Sequence, residues 1–153
     1  PMKKPVFSLN RNDPAMQELV DATNKRNLAI WALACAERVL NFYKSAHPED
    51  NRPRKALKAL QDWIDTGEFS MKIIRGAALA SHAAAREVGE DTPARSAARS
   101  AGQAVSTAHV KDHALAAANY ALQAIFRANI ASNPEDAIKA ERKWQTERLL
   151  ELQ

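Results

Sequence analysis

Between Ala77 and Ala131, 20 of 55 residues are alanine. Alanine costs least to place in a helix, and its single methyl lets neighbouring backbones come close, so such a stretch folds into thin, tightly packed helices. In that matrix the few remaining polar groups are drawn together: His82, His109 and His113, with Arg86, Arg95, Arg99 and Asn119. Three of the chain's four histidines lie in this stretch.

The punctuation is equally helical. Asp13-Pro14, Thr92-Pro93 and Asn133-Pro134 each set a capping side chain before a proline suited to the first helical position. Asn51-Arg52-Pro53 marks a fourth start, with Asp50 or Asn51 as its cap, and Ser70 a fifth. Gly67 and Gly89 fall where helices should stop, because glycine takes the left-handed conformation after a C-cap at little cost. Between these marks Leu28, Trp31, Ala32, Cys35, Val39 and Phe42 form one apolar stripe, widened by Ile30, Leu33 and Leu40, which predicts a central helix over about 25–45. Leu57, Leu60 and Ile64 form a narrower stripe with Trp63 at its edge. The run 93–130 is too long for an ordinary globular helix, and Asp112, able to cap a new N-terminus, is the predicted break. The last helix, 134–150, carries Glu135 and Asp136 in its first turn and is expected to pack from outside through Ile138, Trp144 and Leu149. Gly76 and Gly102 lie inside predicted helices, where each costs about 1 kcal/mol relative to alanine, so close crossings are expected at both. Nothing alternates with period two. The expected fold is all-α, a single-domain bundle of six or seven helices, with 1–24 an N-terminal extension bearing a short helix and 25–150 the helical domain.

Composition narrows the function. A chain of 153 residues can bury a core without staples. Its excess of 22 basic over 18 acidic residues is interspersed rather than gathered on one face, so nucleic acid is not the expected partner. The one cysteine, Cys35, excludes an internal disulfide and reads as a small buried hydrophobe in a reducing compartment. Its apolar run, 28–36, falls far short of the roughly 20 residues that cross a bilayer. Met2-Lys3-Lys4 resembles the charged start of a leader, but Ser8 to Pro14 is polar where an apolar segment should follow, and a cytoplasmic location is expected. There is neither a glycine-rich phosphate loop nor a G-x-S-x-G elbow, which makes an enzyme the less expected class.

Three constellations could carry chemistry. His109 and His113, four apart, would share one face of a helix, and with His82 they could hold a divalent metal with a coordination position open; the acidic helper of an H-E-x-x-H motif is missing. His82 and Arg86, also four apart, could join Arg52, Arg54, Arg75, Arg95 and Arg99 around an anion. The bland alternative is salt bridges to Glu87, Glu90 and Asp91, with Arg95 and Arg99 facing water. The turn from His47 to Arg54 is dense in polar groups, of which Arg52 and Arg54 are unexplained by capping.

Three stretches carry a family likeness: His47 to Leu57, Ala80 to Val88 and Ala97 to Leu122. The combination of the Asp-x-Arg-Pro turn with A-H-V-x-x-H-A resembles a bacterial, small, all-helical domain described as a "putative immunity protein", over about 25–144. The resemblance implies an all-α fold and an antidote that binds and neutralises a partner toxin. No cofactor is expected, a divalent metal being the alternative. The family's polar pattern falls on Asp50, Arg52, Pro53, His82, Arg86, His109 and His113, while Gln103 stands where many such sequences have histidine. The segment to Asn24 lies outside the shared region. Two other readings stay open for the same residues: a metal- or anion-binding site, with metal at His82, His109 and His113, or an interhelical hydrogen-bond network.

Overall fold

The structure, a computed structural model, describes residues 6–8 and 13–153. The charged start Met2-Lys3-Lys4 lies outside the described residues. Among the described residues there are seven helices and no strand: α1 (Pro14–Asp21), α2 (Lys25–Ala46), α3 (Arg52–Thr66), α4 (Met71–Val88), α5 (Pro93–Ser106), α6 (His113–Ala128) and α7 (Pro134–Glu151). Asp13, Ser70, Thr92 and Asn133 each accept the backbone N–H three residues on, as capping requires. At α3 the geometric N-cap, Asn51, makes no such bond; Asp50 instead accepts the N–H of Arg52 at 3.1 Å. Gly67 and Gly89 end α3 and α4 at φ 71° and 75°.

The long alanine run does break before α6, but not by the expected cap. Asp112 precedes α6 without its carboxylate bonding the helix. The backbone closes the turn itself: the N–H groups of His109 and Val110 both donate to Ser106 O at 3.0 Å. Ser106 and Thr107 hydroxyls bond back to the carbonyls of Gly102 and Gln103, a habit that weakens a helix end.

α2 lies at the centre as its stripe predicts, with Leu28, Trp31, Ala32, Cys35 and Val39 without exposed surface. Phe42 is half-buried, and the neighbouring Tyr43 takes the buried place at that end. α5 packs on α2, α3, α4 and α6. It does so with nothing larger than Val105 on its buried side, which otherwise carries only alanine, serine and glycine. Serines bolt these thin helices to one another: Ser81 of α4 donates to Ala98 O of α5, and Ser100 of α5 donates to Ala117 O of α6, both at 2.8 Å. Each bond satisfies a hydroxyl that would otherwise be costly to bury. The contacts Gln103 to His113, Ser100 to Ala117 and Ser96 to Gln123 run in opposite chain directions, so α5 and α6 are antiparallel.

α7 departs from expectation in the composition of its inner face. Ile138 and Leu149 are buried and Trp144 half-buried, but Glu141 and Gln145 are buried beside them. Glu141 takes both hydrogen bonds of the Arg38 fork, at 2.7 and 2.9 Å, while that guanidinium lies 4.0 Å over the Trp144 ring. Gln145 donates to Ala118 O, and its backbone carbonyl accepts the indole N–H of Trp31 at 2.8 Å. α1 contributes Met16 and Val20 to the same core. Of the two glycines expected at close crossings, Gly76 has open space around it, whereas a Cβ at Gly102 would meet the His82 ring at 2.7 Å. No helix among the described residues is long and apolar enough to cross a membrane.

Candidate functional site

The six residues singled out by sequence fall into two clusters and one outlier. The first cluster ties α2, α3 and α4 together. The short turn after α2 places Asp50 beneath the start of α3, where Arg52 grips it through Nε at 3.0 Å and a terminal nitrogen at 2.7 Å. Tyr43 of α2 donates its hydroxyl to the same carboxylate at 2.5 Å. Arg52 also reaches across to Glu87 near the end of α4. These bonds, Arg52 foremost, hold the Asp50 carboxyl well below the usual carboxylate range. Burial, and then the bond to Asp50, push the Tyr43 phenol up. Each strong acceptor on Asp50 is thereby used inside the molecule.

The second cluster lies where α4, α5 and α6 meet. Arg99 donates to Nδ1 of His82 at 2.9 Å. A guanidinium can only donate, so Nδ1 must offer its lone pair, and the imidazole is neutral with its proton on Nε2. Burial, then Arg99 and Arg86, push the pKa of His82 down to about 4. The ring fits because residue 102 lacks a Cβ. Arg86 stands one turn beyond His82 on α4, exposed. His113 meets Oε1 of Gln103 at 2.8 Å, an acceptor only, so here Nδ1 carries the proton. Burial lowers the His113 pKa as well.

His109 is the outlier. It sits in the turn between α5 and α6, exposed, and stacks on Phe69 of the loop between α3 and α4 with centroids 5.9 Å apart. The spacing of four to His113 therefore does not put the two rings on one helix face. Among the described residues no three His, Cys, Asp or Glu side chains converge as metal ligands, so the three-histidine site expected from spacing is not assembled. His82 and His113 each spend a ring nitrogen on another side chain instead.

One participant went unread in the sequence, and a second was left open. Tyr43 lies next to Phe42 of the α2 stripe, and only the return of the chain at Asp50 gives its hydroxyl a partner. Arg99, read either as joining His82 around an anion or as facing water, is half-buried against His82. No local spacing marks these pairs: they form only where separate helices meet. Cys35 has no part in either cluster: it is fully buried, and burial raises its thiol pKa far from reactive values.

Residues 18–152 match the model of a family described as Imm-5 like putative immunity protein. The match begins inside α1, ahead of the residue 25 expected from the resemblance, and runs nearly to the end of the chain. No curated protein and no solved structure matches the chain.

Proposed function

This chain belongs to the Imm-5 like putative immunity protein family, and we propose that it acts as an antidote, binding a partner toxin and blocking it by occupation of its surface. The observation that carries the proposal is the family match, which spans every helix but the first turn of α1. The engagement of the candidate polar groups supports it. Asp50, His82 and His113 are turned toward Arg52, Arg99 and Gln103, which suits residues that stiffen a binding surface from beneath. A bacterial cytoplasm, where a lone buried thiol is at home, is the location this function implies.

For Asp50 and Arg52 the bonds to Tyr43 and Glu87 favour a positioning role: they fix the ends of three helices against one another. Co-expression with the product of each gene neighbouring its own is the test. Restored growth together with co-elution of the two proteins is expected for one of them. A chain that neither protects against nor co-elutes with any neighbouring product is not an antidote for them, and the proposal falls.

A further inference from the structure

We infer that the partner presents an acidic protein surface and docks it on a ridge of four guanidinium groups, Arg86, Arg99, Arg95 and Arg127, that crosses α4, α5 and α6. The inference rests on the antidote function proposed above and adds where, and by what chemistry, the partner is held.

The ridge follows from contacts that link one arginine to the next. Arg86 lies one turn from His82 on α4, and His82 accepts from Arg99 on α5. Arg95 precedes Arg99 by one turn on the same helix. Arg95 and Arg127 of α6 then share one carboxylate, Asp91, at 3.1 and 3.4 Å. Arg127 is held from below by the Ser96 hydroxyl at 2.8 Å. Tyr120, seven residues before Arg127 and so on the same side of α6, lies near enough to bear on both Arg99 and Arg127.

The charges do not cancel within the molecule. Asp91, itself 75% exposed, serves two arginines. Arg86 and Arg99 have no ion-pair partner among the described residues, and Glu87 beside Arg86 is drawn away to Arg52. His82 holds Arg99 as a neutral acceptor, so it aims the guanidinium without neutralising it. Burial, foremost, lowers the pKa of Arg99 and Arg127. Arginine forks take carboxylates two bonds at a time, and arginine and tyrosine are among the residue types in which interface energy concentrates. Four charges backed by three short, rigid helices form a compact target matched to a patch of Asp and Glu side chains. A nucleic-acid strand would need a longer basic track than this chain's interspersed charges provide.

Poly-L-glutamate is the probe. Titrated into the 15N-labelled full chain at low salt, it should shift the side-chain Nε–H signals of these arginines, and 1 M salt, with a Debye length of about 3 Å, should abolish the shifts. The variant R86E/R95E should bind at least about tenfold more weakly with its helicity retained. R99Q, which keeps an N–H donor for His82 while losing the charge, should also weaken binding and decides the matter if the double variant does not fold. Absent shifts, unchanged binding by a folded variant, or tighter binding of an RNA oligonucleotide or inorganic phosphate at the same salt would each overturn the inference. In the co-expression assay, protection by wild type and R86E/R95E alike overturns the ridge and leaves the antidote function standing. Polyglutamate binding on the ridge without any wild-type protection does the reverse.

Discussion

Gly102 carries no side chain because the His82 imidazole occupies the space where one would be. Gly102→Ala should therefore destabilise the fold by about 1 to 3 kcal/mol, the range for forcing an atom into a packed site. In a His82→Ala background the obstruction is gone, and the same substitution should turn neutral or stabilising by up to about 1 kcal/mol, the helix preference of alanine over glycine. Urea unfolding of the four proteins in this cycle checks the sign change. His82 also sets a pH dependence. Its folded pKa, about 4, lies below the ordinary value of 6.5, so the unfolded chain binds the proton more readily. The stabilisation is complete above about pH 6.5 and is lost as the pH falls toward 4, with His113 acting in the same direction. Melting temperatures between pH 7 and 4 should fall less steeply for His82→Asn, whose side-chain oxygen can accept from Arg99 without titrating. An equal slope in the variant would assign the acid sensitivity to other groups. Spacing in the sequence brought out His82, and Gly102 was marked by its cost in a helix. That the two touch is a property of how α4 and α5 meet, and no local pattern encodes it.

Among the elements, the helix starts were the most legible because they are chemical. Capping side chains before prolines act on their own first turn, and Asp13, Thr92 and Asn133 do so as read. α7 was only half legible: apolar spacing finds Ile138 and Leu149 but cannot distinguish a buried glutamate from a solvated one. Glu141 is buried because Arg38, 103 residues away in sequence, supplies its fork. The arrangement of the histidines was not legible for a similar reason. A break before α6 was expected at Asp112, and the backbone turns already at Ser106, which leaves His109 in the turn. The junction of α2, α3 and α4 depends on one carboxylate, so Asp50→Ala should strip Tyr43 and Arg52 of their shared acceptor and the first turn of α3 of a bond. A loss of about 2 to 3 kcal/mol is expected, read as a lower urea midpoint at unchanged slope. Tyr43→Phe, which removes one of these bonds, should cost about 1 kcal/mol.

At the scale of the whole molecule, the alanine content that limited the chain to thin helices also decides how they depend on one another. α5 has four helices against it, yet no buried side chain of its own is larger than Val105. A helix of 14 residues is marginal alone in water, and this one has little apolar surface with which to seed contacts. It is held in place entirely by its neighbours. In native-state hydrogen exchange its amides should therefore open only when the entire bundle opens, with the same free energy as the slowest amides of α2, while α1 exchanges through local fraying. An intermediate that lost α5 but kept α2 and α6 would contradict this. The most enclosed helix would thus act as a gauge of global stability, its amides reporting the free energy of the whole bundle and not that of any one neighbour.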